Sequence, residues 1–205
     1  MNRRKFLVNL GVGVVGFGGL AGFAVAKEYA HSPRWKLFEE GRLKNNLALI
    51  VSGIVAREMY GNNNTRINLQ VKRFLWPNSA IYGETSENNI YTYSDSNSSN
   101  YFKLERKNIE DTTLWKGKVN DMSDDLTVIE QDHGIYEIYP PNNDPESVLS
   151  IDLTRGIISG DYKRPDKIIN INGTYDREHV KIELTGRTSG IMILEGRITD
   201  KIYYV

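Results

Sequence analysis

The clearest pattern in the chain is a two-residue alternation that begins after a long apolar run. From Arg66 to Val71 the apolar residues Ile67, Leu69 and Val71 share one parity, and Asn68, Gln70 and Lys72 share the other. That is the signature of a half-buried strand. The run before it, Leu47 to Tyr60, is apolar on both parities and rich in Ile and Val. Such a run fits a doubly buried strand or a buried helix; Gly53 and the β-branched content point to a strand. With Gly61-Asn62-Asn63-Asn64 as the turn, Leu47–Val71 reads as a long hairpin. Further strand pairs are expected at Tyr101–Arg106 with Thr113–Val119, and at Leu126–Glu130 with Ile135–Tyr139 around the Asp132-His133-Gly134 turn. Ser86–Asn100 is polar and reads as a surface loop with a short strand at Ile90, Tyr91 and Tyr93. After the break Pro140–Pro145, strands fit Val148–Leu153, Ile157–Lys163, Lys167–Tyr175, His179–Thr185, Gly190–Ile198 and Lys201–Val205.

Ten to twelve short strands joined by turns predict an all-β domain at 47–205. An open sheet of that size would expose pairing edges, so a closed or nearly closed barrel is expected, with a β-sandwich as the alternative. The consecutive hairpins broadly resemble calycin-like secreted barrels, without a lipocalin Gly-x-Trp opening or an avidin-like motif. Residues 27–46 form a polar lead-in. Within it Ser32-Pro33 reads as a helix start and Gly41 as its end, giving one short helix that plugs or covers a barrel end.

The N-terminus carries a different message. Arg3, Arg4 and Lys5 precede Phe6 and Leu7, and no charge follows until Lys27. Asn2-Arg3-Arg4-Lys5-Phe6-Leu7 resembles the twin-arginine export signal. The glycine-rich core Gly11, Gly13, Gly16, Gly18, Gly19 and Gly22 is less helical and less apolar than a general secretory signal, which fits that resemblance. Ala24-Val25-Ala26 supplies an A-x-A cleavage site, with Ala24 and Ala26 as its small residues. The resemblance implies passage of a folded bacterial protein through the twin-arginine machinery to the periplasm. Without cleavage, residues 6–26 are long enough to remain as an inner-membrane anchor.

Removing residues 1–26 takes away three of the 26 Lys and Arg and none of the 26 Asp and Glu. The remainder has 23 cations against 26 acids, a net −3, which argues against a nucleic-acid partner. The absence of cysteine excludes disulfides, thiol nucleophiles, c-type haem attachment and thiolate-held iron–sulfur clusters. No cofactor is implied. Fast folding, or travel with another exported subunit, is then the reason suggested for a folded-protein route.

Titratable candidates are sparse: the histidines are His31, His133 and His179. His179 and Glu183 share a strand face but lie about 13 Å apart along it, too far for one metal. The Asp121, Asp124 and Asp125 turn lacks the glycine and closing glutamate of a calcium loop. No metal site is expected, and no nucleophile elbow, phosphate loop or zinc helix motif occurs. The enrichment in aromatics, with twelve tyrosines and three tryptophans, is the remaining signal. Trp76, Tyr82, Tyr91, Tyr93, Tyr101 and Trp115 gather in the first half, and with His133 they form the candidate ligand-binding set. The expected function is a non-catalytic periplasmic binding module for a small apolar or carbohydrate-like ligand at the barrel mouth, or for a protein partner. The alternatives are a hydrolase or isomerase built around His133, and an accessory subunit of an exported or inner-membrane complex.

Overall fold

The computed structural model describes residues 33–61, 63–73, 77–95, 97–109, 112–120, 126–131, 134–139, 148–164 and 167–200. The chain divides into Met1–Glu40 and Gly41–Val205. In the first unit the described residues are helical. The second unit is a closed antiparallel barrel, and among the described residues its strands number twelve. They are β1 (Thr65–Arg73), β2 (Ser79–Ser86), β3 (Asn89–Ser94), β4 (Asn97–Ile109), β5 (Thr112–Val119) and β6 (Leu126–Gln131). The meander continues through β7 (Ile135–Tyr139), β8 (Val148–Asp152), β9 (Ile157–Arg164), β10 (Lys167–Asp176), β11 (His179–Thr185) and β12 (Ile191–Asp200). Each strand pairs with its neighbours in sequence, and β12 returns to pair with β1. The expected all-β, up-and-down closed barrel is therefore the observed architecture.

The helix is the main departure from expectation. α1 runs from Pro33 to Tyr60, so it passes through Gly41 and includes the whole Leu47–Tyr60 segment expected as a strand. Leu47, Ala48, Leu49, Ile50, Val51, Ile54, Val55 and Ala56 are all buried. A helix buried on every side belongs in an interior. Its partners lie around the barrel. Thr92 Oγ1 on β3 donates to Leu49 O at 2.9 Å. The Arg57 guanidinium sits 5.3 Å from the Trp115 ring centroid on β5. Tyr136 OH on β7 donates to Glu58 Oε2 at 2.7 Å, and Tyr60 OH donates to Ile198 O on β12 at 2.8 Å. At the opposite barrel end, Lys44 Nζ donates to Gly190 O between β11 and β12, and Asn120 Nδ2 donates to Asn46 Oδ1 at 2.7 Å. The Gly41–Tyr60 portion thus runs through the lumen. A barrel of about eight strands is filled by its own side chains, whereas twelve leave room for a helix roughly 10–12 Å across.

The reason the pattern misled is physical. Neither a period of two nor one of 3.6 marks an element that is enclosed on all sides, so Ile and Val content decided the reading. The chain resolves the ambiguity through its backbone. Every barrel strand already has two neighbours, and an inner strand would have no partner for its amides.

Two smaller corrections concern the first third of the barrel. The short strand expected within Ser86–Asn100 is present as β3, but it pairs along its length with both β2 and β4, so the segment belongs to the barrel wall and is not a surface loop. β2 was not expected at all. Its inward positions include Ser79, Gly83 and Thr85, which carry little apolar signal. The inward hydroxyl of Thr85 bonds that of Thr65 at 2.7 Å. Lys201–Val205 lies outside the described residues, and β12 itself extends to Asp200.

Gly53 sets the spacing between helix and wall. A Cβ there would lie 2.5 Å from Ile90 Cγ2, 3.3 Å from Phe102 Cε1 and 3.4 Å from Thr92 Cγ2. Gly53→Leu gains about 1 kcal/mol of helix propensity. It also forces three further carbons into filled space, and overpacking of this kind costs about 1–3 kcal/mol. The overpacking should win. Urea unfolding is expected to show a lower midpoint for Gly53→Leu, and an unchanged or raised midpoint would mean that the helix is not wedged against β3 and β4.

Candidate functional site

The outer wall of β2, β3 and β4 carries four tyrosines in contact. Strand alternation sends Ile90, Thr92 and Ser94 inward and leaves Tyr91 and Tyr93 outside, 37 % and 38 % exposed. The register sets Tyr93 directly opposite Tyr82 on β2 and opposite Tyr101 on β4. Ring centroids are 5.9 Å apart for Tyr82–Tyr93, 5.6 Å for Tyr91–Tyr93 and 6.3 Å for Tyr91–Tyr101. The rings tilt by 32–37° to one another, an offset arrangement that stabilises each pair by about 0.5–1.5 kcal/mol. The result is a shallow aromatic surface of three adjacent strands.

Polar groups border it. Tyr91 is flanked in register by Glu84 on β2 and Lys103 on β4. Lys103 Nζ lies 2.7 Å from Glu105 Oε1, and this hydrogen bond, ahead of the Coulombic attraction, raises the lysine pKa. The lysine therefore stays charged beside the rings. Asn68 on β1 is the next outward neighbour of Tyr82.

The other expected site residues are placed differently. Trp115 belongs to the core, 2 % exposed beneath Arg57, and so supports the helix rather than a ligand. Tyr136 and Tyr162 are inward and buried, Tyr175 half-buried, which accounts for part of the tyrosine enrichment by packing. Trp76, His133 and Asp132 lie outside the described residues, as do Asp121, Asp124 and Asp125, the export residues Arg3, Arg4, Phe6 and Leu7, and the cleavage residues Ala24 and Ala26. His179 and Glu183 both face outward on β11. Among the described residues no group of three or more His, Cys, Asp or Glu side chains is arranged to hold a metal ion, and no helix is long and apolar enough to cross a membrane.

The tyrosine set expected at a barrel mouth thus stands on the wall, because the helix and the inward side chains occupy the lumen. The i, i+2 spacing of Tyr91 and Tyr93 was the readable signal for a shared face. The contribution of Tyr82 depended on β2, whose weak pattern hid its pairing. Asn68 and Arg197, which continue the same outward row, were legible only through the β1–β12 register. No family model, no curated protein and no solved structure matches the chain.

Two other tyrosines make hydrogen bonds at the barrel end where the helix stops, Tyr60 from the helix and Tyr175 from β10. Tyr60 donates to Ile198 O, and Tyr175 OH donates to Leu153 O at 2.7 Å. Burial, followed by the charges of Glu178 and Asp200, raises the Tyr60 pKa; burial is also the largest cause of the rise at Tyr175, with Glu58 and Asp152 adding to it. A tyrosine pKa higher in the folded state means that folding favours the protonated phenol. Its stabilisation is complete below the unfolded value near 10 and is lost as pH rises through the folded value. Stability measured by denaturant should hold to about pH 9 and fall above about pH 10. The Tyr60→Phe, Tyr175→Phe double variant should show a shallower alkaline decline; an identical slope would exclude these two phenols as its source.

Proposed function

We propose that this protein is a non-catalytic binding module, exported to the bacterial periplasm, whose outward tyrosine wall binds a carbohydrate-like ligand. The carrying observation is the contiguous patch of Tyr82, Tyr91, Tyr93 and Tyr101 on three adjacent strands. Sugar rings present apolar C–H faces that stack on aromatic rings, and hydroxyl rims that need polar partners. The wall offers both in one place, with Glu84, Lys103, Glu105 and Asn68 around the rings. The patch stands on the outer face of the sheet, which suits an extended chain of sugars better than a small apolar molecule needing enclosure. A rigid closed sheet beneath it holds the rings in place before binding, so little ordering is required on association.

Export is supported by the Arg3-Arg4 pair, the Phe6-Leu7 pair and the uncharged glycine-rich stretch behind them. A folded-protein route suits a barrel that cannot seal until its last strand joins its first. Replacing Arg3 and Arg4 together by lysine is expected to leave the protein in the cytoplasmic fraction; undiminished periplasmic recovery, read by cell fractionation and intact mass, would refute the twin-arginine reading.

The ligand reading is tested by calorimetric titration of the purified protein with soluble oligosaccharides and by co-sedimentation with insoluble polysaccharides. Tyr93 touches two of the other rings, so Tyr93→Ala should weaken binding by about 1–1.5 kcal/mol, near tenfold in Kd. Failure of every sugar to bind, or equal affinity for wild type and Tyr93→Ala, would remove the tyrosine wall from the binding function.

A further inference from the structure

The outward row that contains the tyrosines does not stop at Tyr82. Tyr82 pairs with Asn68 on β1, Asn68 with Arg197 on β12, Arg197 with His179 on β11, and His179 with Asp176 on β10. Neighbouring strands lie about 4.8 Å apart, so Arg197 is roughly 10 Å from Tyr82 across the wall. Arg197 and His179 line a cleft of about 310 Å³. Thr174 and Asp176 belong both to that cleft and to a second one of about 540 Å³ at the barrel end, lined by Arg155 and Arg177. The two clefts and the tyrosine wall are therefore neighbours along one path.

The cations on this path differ in whether they are engaged. Lys181 is engaged by Glu183 at 3.0 Å, and Glu195 by Lys72 at 3.1 Å. The guanidinium groups of Arg155, Arg177 and Arg197 form no ion pair or hydrogen bond with any described residue. The clefts also carry the carboxylates of Asp176 and Glu195, and those of Glu178, Asp200, Glu58 and Asp152 stand near Tyr60 and Tyr175 at the same barrel end.

The hairpin turns fix where two of these arginines stand. Arg155 and Arg177 have φ of 55° and 52°, in the left-handed region that glycine and asparagine occupy with little strain. Arg155 stands in the tight turn closed by Ile157 N donating to Thr154 O at 3.0 Å, and Arg177 in the two-residue turn between the paired Asp176 and His179. A positive φ is what the first position of a two-residue hairpin turn requires; the turns thus hold both arginines at one cleft, their guanidinium groups without a partner among the described residues.

We propose that these clefts extend the tyrosine wall into one groove for an acidic glycan, a sugar chain bearing carboxylates. The inference rests on the carbohydrate reading above and names its ligand class. The rings of Tyr82, Tyr93 and Tyr101 stack on sugar faces, and Arg197, Arg177 and Arg155 take carboxylates farther along the chain. A guanidinium matches a carboxylate in paired, parallel hydrogen bonds. Single guanidinium groups interleaved with carboxylates along a path suit single charges spaced along a polymer better than a compact dianion. Aromatic rings with arginines also serve single-stranded nucleic acid. Glu84 and Glu105 beside the rings, and the net −3 left once residues 1–26 are removed, disfavour a strand with a phosphate at every unit.

The experiment compares the whole protein against oligo-β-1,4-glucose, oligo-β-1,4-glucuronate of equal length, and oligothymidylate, by calorimetry at two salt concentrations. Glucuronate is expected to bind at least tenfold more tightly than glucose, with the advantage shrinking as salt rises. An Arg177→Gln, Arg197→Gln double variant should bring glucuronate down to the affinity of glucose and leave glucose binding unchanged, while Tyr93→Ala weakens both. Equal affinity for the two sugars, or an undiminished glucuronate preference in the double arginine variant, overturns the acidic-glycan groove and leaves the carbohydrate reading intact. Binding of neither sugar, with or without binding of oligothymidylate, overturns both. Because Arg177 and Arg197 are exposed, the double arginine variant should unfold at the wild-type midpoint, which separates lost binding from lost fold.

Discussion

A segment enclosed by a closed sheet can send its backbone hydrogen bonds only to itself. That constraint organises the molecule. The twelve strands satisfy one another around the ring, with β12 completing the circuit on β1, so no edge remains for the chain that passes through the middle. A helix is the one regular form that is self-sufficient there, for the same reason that helices rather than single strands cross a bilayer. Once the lumen holds a helix, the side-chain rules follow. The middle of α1 is apolar on every face, Gly53 thins it where β3 and β4 come close, and charged groups appear only toward the ends, where Lys44 reaches Gly190 O and Glu58 accepts from Tyr136. Polar residues inside are matched to specific atoms, as with Thr92 and Leu49 O or Tyr136 and Glu58.

The filled lumen also decides where recognition can occur. Many barrels bind in their interior, but here Trp115, Phe102, Leu104 and the helix occupy that volume. Chemistry is displaced to the wall and the turns, where the sheet acts as a rigid frame. Register then does the work that a pocket does elsewhere, because it fixes which outward side chains become neighbours. Tyr82, Tyr93 and Tyr101 come from three strands yet meet because their strands pair in that register.

How much of this was legible in the sequence varied with the kind of environment each segment meets. Strands with one wet and one dry face announced themselves; His179–Thr185 was read at its observed bounds, and the hairpins from Thr113 to Tyr139 within a residue or so. Segments whose two faces are alike did not. Leu47–Arg57 is dry all round, and Ser79–Ser86 has small or hydroxylated residues on its inner face apart from Ile81. The candidate site was partly legible for a related reason. Parity placed Tyr91 and Tyr93 together, but the partners of a tyrosine across strands depend on pairing, which composition does not encode locally. Trp115 illustrates the converse: its size suggested a binding role, and its burial beneath Arg57 assigns it to the core.

The seam between β1 and β12 has a consequence for the life of the chain. Strands that pair with sequence neighbours can zip as they emerge, whereas this seam joins residues such as Thr65 and Asp200 across almost the whole domain. Until it forms, two long edges are open and the central helix lies uncovered on one side, a state prone to sticking to its own kind. The barrel has no smaller version of itself. A chain shortened by its final strand would be not a reduced protein but an unsealed sheet with an exposed apolar rod, and synthesis must reach β12 before any of the wall that holds the tyrosines becomes a stable surface.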